Sequence, residues 1–193
     1  MSIDTRLASR LGVSYTSTHR RVAMWRPQLS IIVLRIAIGL FFLKALWTKM
    51  DGVLLAGAVP FLEVHERWIG LMPNIVGRQA AENPIGWYKA FLDQIVLTHA
   101  TLFAQLTAWG ETLVGVSLTL GLLSGCGAIG GLLLSVSYGL AAQHLSPASF
   151  GLHYMLVVAM SALFLARSGR AFGLDAVIAR RWHQSWLTAR PWS

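Results

Sequence analysis

The sequence predicts an all-α integral membrane protein: an antiparallel four-helix bundle with short surface helices in its first outer loop and an amphipathic C-terminal helix. Three observations carry that prediction. The chain of 193 residues is 55% hydrophobic and only 12% charged, about half the roughly 25% charged fraction of a soluble domain. Its apolar residues collect in four runs, about 29–47, 101–123, 127–145 and 150–166. At about 1.5 Å rise per residue, runs of this length suit a hydrocarbon core about 30 Å thick. Finally, the arginines gather at the two ends of the chain, flanking these runs. A net charge of +8 therefore reads as a topology signal rather than as a nucleic-acid footprint. The single cysteine, Cys126, excludes an internal disulfide and a Cys-x-x-Cys redox pair.

Residues 1–28 form a basic arm with Arg6, Arg10, Arg20, Arg21 and Arg26. Arg20-Arg21 before an apolar run suggests a twin-arginine signal, but Arg35 and Lys44 interrupt that run and no A-x-A-like cleavage site follows. The arm reads as retained, cytoplasmic and flexible before Pro27. The membrane domain then covers 29–167. Its first span carries Arg35 and Lys44, whose long side chains either snorkel to the interfaces or turn inward as counter-charges. The outer loop, 48–98, is broken by Pro60, Pro73 and Pro84, and surface helices are expected there. One would start near Asn83-Pro84 and place Tyr88, Phe91, Leu92, Ile95 and Val96 on one face. Trp68 and Trp87 suit an interfacial position.

The second span holds one charge, Glu111, near its centre. A bare carboxylate there is disfavoured by roughly 2.5–3.5 kcal/mol on insertion scales, so it needs a partner, a proton or a water-filled pocket. Arg35 and Lys44 bracket its depth, and either can approach it. Ala104, Ala108 and Gly115 share the Glu111 face, and Gly127, Gly131, Ser135 and Gly139 form a small-residue stripe on the third span. Close packing between these two hairpin-linked helices is expected. The fourth span ends at Arg167 and Arg170, and the cytoplasmic tail, 168–193, carries an amphipathic helix with Asp175 as its N-cap. Five basic residues in the arm, five from Arg167 onward and four in the first outer loop place both termini in the cytoplasm.

Arg35-x-x-x-Gly39 with Lys44, Phe91-Leu92 leading to His99-Ala100, and Gly110-Glu111-x-Leu113-x-Gly115 form a connected set of motifs. Gly121-Leu-Leu and Gly169-Arg170…Gly173-Leu174-Asp175 complete it. With these motifs the chain, from about residue 30 to 180, resembles the DoxX/DoxD family of small four-span membrane proteins. It departs from many of these in carrying Ser124-Gly-Cys126 at the turn between spans two and three, where they have an Arg. The resemblance implies an inner-membrane subunit of a quinone-linked oxidoreductase, like the small subunit of a thiosulfate:quinone oxidoreductase. Such a subunit would pass electrons from a periplasmic donor, such as thiosulfate, or from a partner protein to membrane quinone. The donor-oxidising half would belong to a partner subunit. The alternative is a non-catalytic membrane anchor or assembly subunit.

Glu111 has three readings: an ionised partner of Arg35 or Lys44, a protonated hydrogen-bond donor raised by desolvation, or a proton relay to a quinone headgroup. In the last, Phe42, Thr107, Trp109 and Tyr138 would line the headgroup site. His99, His144 and His153, all on the expected outer side, offer an alternative metal set. Helix-end histidines are ordinarily solvated, however, and neither metal nor haem is predicted. No phosphate loop, nucleophile motif or dinucleotide fingerprint occurs.

Overall fold

The computed structural model describes residues 15–55, 59–166, 168 and 173–181. Helix α1 spans Tyr15–Leu43. The segment read as a flexible arm is therefore helical from Tyr15 and continuous with the first span. No Gly or Pro lies between Tyr15 and Arg26 to stop it. A short helix, α2 (Ala45–Thr48), carries the chain on, and Lys49 N–H donates to the Ala45 carbonyl at 2.8 Å.

The first loop departs from the all-helical expectation. It opens with an antiparallel hairpin, β1 (Met50–Leu55) and β2 (Val59–Val64), in the register Met50↔Val64, Asp51↔Glu63, Gly52↔Leu62. Val53, Val59, Phe61 and Val64 are good strand formers, and pairing them satisfies backbone groups that a lone extended segment would leave open. Met50 and Val64 are buried against Ala108. The expected surface helices follow: α3 (Glu66–Ala81) and α4 (Gly86–Phe91). A π-helical turn, Leu92–Val96, extends α4, with Leu97 N–H reaching the Leu92 carbonyl at 2.9 Å.

This loop layer is fastened to the long helices by side chains donating to their carbonyls. Trp68 Nε1 donates to Ala104 O (3.0 Å), Asn83 Nδ2 to Leu140 O (2.9 Å) and Tyr88 Oη to Ser137 O (2.7 Å). Trp68 is thus docked inward rather than interfacial, whereas Trp87 is exposed as expected. Asn83 precedes α4 by accepting from Ile85 N–H at 3.0 Å, an Asx turn that orients the entry to the helix. Tyr88, Leu92 and Val96 are buried in one cluster with Met72, Val76, Ala104 and Ala141, while Ile95 of the expected stripe faces outward.

Three further long helices follow: α5 (Ala100–Leu120), α6 (Ser124–Ala142) and α7 (Pro147–Leu165). Ser146 caps α7 by accepting from Ser149 N–H, with Pro147 at the first helical position. Helix α1 packs on α5, α5 on α6, α6 on α7, and α7 touches α1. Ile38, Phe42, Val114, Leu118, Ala128, Leu156, Met160 and Leu163 form the shared core. Val33, Leu113, Leu133 and Met155 stay well exposed on the outside, as helices apolar all round do in lipid.

Among the described residues three helices are long and apolar enough to cross a membrane: Gln28–Thr48, Ser124–Ala142 and Pro147–Leu165. The run expected as a fourth span falls short. At 21 residues α5 has the length, but Gln105, Glu111 and its four threonines (101, 107, 112 and 119) dilute its apolar character.

The two hairpin-linked helices pack together as expected, but their small residues also meet other partners. A Cβ on Gly115 would lie 2.6 Å from Leu43 N, and one on Gly39 would lie 2.7 Å from Thr119 N. The tightest approach of α5 is therefore to α1, backbone against backbone. The α6 stripe divides: Gly127 faces Ser117 of α5, Gly131 lies between Val114 of α5 and Met160 of α7, and Gly139 faces His153 of α7.

Asp175 also differs from its expected role. It lies inside the first turn of α8 (Leu174–Arg181) and caps α6 instead. Its Oδ1 accepts from Leu123 N–H (2.7 Å), and its Oδ2 accepts from Ser124 N–H (3.0 Å) and Ser124 Oγ (2.9 Å). Leu123 sits at φ 50 and Gly121 at φ 65, so the α5–α6 turn is made by two successive left-handed excursions. A carboxylate at that helix N-terminus satisfies open amides and complements the dipole. Residues 1–14, 56–58, 167, 169–172 and 182–193 lie outside the described set, and with them the expected roles of Arg167 and Arg170 and the far end of the tail.

Candidate functional site

Glu111 comes near the middle of α5 because the helix starts at Ala100 and runs uninterrupted to Leu120. It is buried, and three side chains organise its surroundings. Lys49 Nζ donates to Oε1 at 2.7 Å, and Tyr138 Oη donates to the same oxygen at 2.7 Å. Trp68 lays its ring over the Lys49 ammonium, 4.0 Å from the centroid, a cation–π contact made firm by the Trp68–Ala104 bond.

The counter-charge is therefore Lys49, neither of the two basic residues of the first span. Lys49 emerges where α2 ends and β1 begins, and its backbone carbonyl is held by His65 N–H at 2.8 Å. From that anchored position its stem runs down to Glu111. Burial pushes the Lys49 ammonium below its ordinary range, and the facing Glu111 carboxylate opposes that shift.

The other expected site residues scatter. Arg35 is buried at the opposite end of the helices, where its Nη1 donates to Ser168 O at 2.7 Å and it feels the charge of Asp175. Lys44 is exposed, its ammonium 4.5 Å from the Phe41 ring centroid. Phe42 belongs to the shared core, packed edge-on against Phe41. Trp109 faces outward from α5. Thr107 and Tyr138 do come together with Glu111 on one cavity wall, although Thr107 Oγ1 donates back to Ala104 O.

The three histidines do not converge. His99 is exposed and bonded to Ile95 O, and His144 has both ring nitrogens buried with no hydrogen-bond partner. His153 bonds Ser149 O at 2.7 Å. Among the described residues no group of three or more His, Cys, Asp or Glu is placed to hold a metal ion.

Two hollows meet at the Glu111–Lys49 pair. One is a cavity of about 430 Å³ walled mostly by apolar side chains of α3, α4 and the π turn, α5 and α6, including Met72, Val76, Phe91, Val96, Phe103 and Leu134. Its polar side chains are Glu111, Lys49, Tyr138, Thr107, Ser137, Gln79 and His153, together with Trp68 and Tyr88, whose polar groups are bonded to helix carbonyls. His153 stands edge-on to the Tyr138 ring, with centroids 6.4 Å apart. The second hollow, about 600 Å³, is lined by Lys44, Trp47, Thr48, Lys49, His65, Arg67, Trp68, Leu71 and Glu111. Most of these are exposed, so this hollow is a vestibule open to the surroundings. Lys49, Trp68 and Glu111 belong to both and form the partition between them.

Such a site can hold a flat, largely apolar molecule in the apolar cavity. It can offer that molecule a hydroxyl donor, a carboxylate and an ammonium at one point of the wall. The fit to a quinone ring is chemical: apolar walls accept the ring and its tail, and Tyr138 and Glu111 are able to hold or move protons at its oxygens.

The pairing was missed in the sequence because Lys49 lies two residues beyond the apolar run, at a depth that rise per residue assigns to the interface. The signal present was Thr48-Lys49-Met50, a lysine beside a residue apolar enough to be buried.

No curated protein and no solved structure matches the chain significantly. The family model described as TQO small subunit DoxD matches residues 30–190, a stretch that contains every residue of the Glu111 site and the Asp175 cap. This chain belongs to the DoxD family.

Proposed function

We propose that the chain is the quinone-facing membrane subunit of an oxidoreductase, receiving electrons from a periplasmic donor such as thiosulfate or from a partner subunit. In this reading α5 crosses the membrane with the other three long helices, and the loop layer covers their outer ends. Both termini then lie in the cytoplasm of a bacterial-type inner membrane. The observation that carries the reading is the Glu111–Lys49–Tyr138 cluster set in the wall of an otherwise apolar cavity. A buried ion pair that served packing alone would be expected to be enclosed on every side.

When bound, a quinone supplies two-electron, two-proton redox chemistry, and the chain supplies the rest. The apolar walls exclude water, the Tyr138 hydroxyl orients an oxygen, and Glu111 holds a proton-accepting oxygen beside it. Lys49 donates to the same Glu111 oxygen and holds the carboxyl group in place.

The test is purification of the full chain in native lipid. Quinone is expected to co-purify with the wild type, and Glu111→Gln is expected to lower quinone reduction by about tenfold or more while the protein stays folded. Absence of quinone from the wild type would overturn the reading and leave a membrane anchor. Cysteine placed at Ser2 or Ser193 should be labelled from the cytoplasmic face alone, and labelling from outside would refute the even number of spans.

A further inference from the structure

The cavity reading leaves open where protons come from. Glu111 is buried, and the cavity walls around it are apolar, so the cavity offers few groups for a supply of its own. The vestibule does. It touches Glu111 and Lys49 from the side away from the cavity, and its rim carries Lys44, His65, Arg67 and Thr48. We propose that Lys49 is a proton carrier between this vestibule and Glu111, so that the cavity exchanges protons through the loop end of the molecule. Trp68 acts as the positioning residue for the carrier. The inference rests on the quinone reading of the cavity and adds to it a direction and a residue.

The geometry supplies each step. Lys49 Nζ already donates to Glu111 Oε1 at 2.7 Å, so passing that proton across leaves a neutral amine and a neutral carboxylic acid. Tyr138 Oη bonds the same oxygen on the cavity side, and the acid proton goes from Glu111 to an acceptor in the cavity. The amine regains its proton from water in the vestibule, the hydroxide left there is neutralised by bulk solvent, and the pair returns to ammonium and carboxylate. Burial favours this by making the ammonium easier to deprotonate than a lysine in water. The charged and titratable groups around the carrier are Glu111 and Tyr138 across the partition and Lys44, His65 and Arg67 on the vestibule side. His65 also lies 3.6 Å from Asp51. The Trp68 ring and its bond to Ala104 O fix the ammonium between the two hollows rather than letting it swing outward.

Arginine separates a carrier from a counter-charge. Lys49→Arg keeps a positive charge opposite Glu111, yet a guanidinium does not release its proton in proteins. In nanodiscs, short-tailed decylubiquinone would be bound to the full chain and reduced by reduced methyl viologen. Two viologen electrons and two protons per quinone yield the quinol. Lys49→Arg is expected to bind decylubiquinone within about twofold of wild type and to slow its reduction at least tenfold, with a larger solvent deuterium isotope effect. A reduction rate equal to wild type in Lys49→Arg, with Lys49→Met slow, makes Lys49 a counter-charge and overturns the proposal. A second readout needs no quinone. A water-soluble acetylating reagent should modify Lys49 in the quinone-free protein at a lower pH than it modifies a free lysine peptide. A Lys49 that resists acetylation at every pH closes the vestibule route and overturns the proposal. Failure of the wild type to bind decylubiquinone removes the cavity reading and this route together, whereas binding with an unaltered Lys49→Arg removes the route alone.

Discussion

Two buried charge clusters lie at opposite ends of the same helices and solve the same problem differently. At the tail end, Asp175 is saturated by two backbone amides and a hydroxyl, and Arg35 donates to the Ser168 carbonyl. Their partners are drawn largely from the main chain, and such bonds leave little to move. At the loop end, Glu111 holds two side chains, Lys49 and Tyr138, each of which is a proton donor in its own right, and both face hollows. The first arrangement fixes geometry, while the second keeps titratable groups in contact. Buried charge alone does not mark a functional site; the identity of the partners separates structure from chemistry.

That contrast can be broken by substitution. The largest effect is expected from Arg35→Met, which removes the donor to the Ser168 carbonyl and the buried cation that interacts at longer range with Asp175. A loss of about 3–5 kcal/mol, the scale for breaking a buried charge interaction, is expected as a fall in the thermal midpoint with any retained quinone unchanged. Asp175→Ala should follow at about 2 kcal/mol, the upper range for loss of a helix cap. A cavity phenotype larger than the stability loss would make the two ends one unit. Glu111→Gln keeps the side-chain shape and should cost less stability than either, yet lower quinone reduction by about tenfold or more. If it proves the most destabilising of the set, the loop-end cluster is structural after all. Tyr138→Phe removes one hydrogen bond to Glu111 and should cost about 1 kcal/mol, with its signature in quinone affinity. Lys44→Met should change stability by less than about 0.5 kcal/mol, since its side chain is exposed and its ammonium rests over the Phe41 ring; a Glu111-like defect in that variant would restore Lys44 as the counter-charge.

The contrast also explains what was legible in the sequence. Glu111 stands out because a lone acid in an apolar run must be answered, and Tyr138 is one of the aromatics that the sequence offers for a headgroup site. Arg35 and Lys44 were named as its counter-charges on the strength of linear rise. That measure ignores the break after Leu43 and the hairpin that turns Lys49 inward. The hairpin itself escaped notice because pairing across a turn leaves no helical period to find. The tail motif Gly173-Leu174-Asp175 was visible as a local cap, but its true target, the turn at residues 121–124, lies far away in sequence. Local pattern identifies which groups need partners, and tertiary structure alone decides who they are.

The Asp175 cap has one more consequence. The carboxylate that closes the turn before α6 lies 52 residues downstream of Leu123. While the polypeptide is being made, α5, α6 and α7 can all be synthesised before that group leaves the ribosome. A product halted ahead of residue 175 would own all four long helices and still have an open joint between two of them. Final assembly therefore waits on a short segment synthesised near the close of translation.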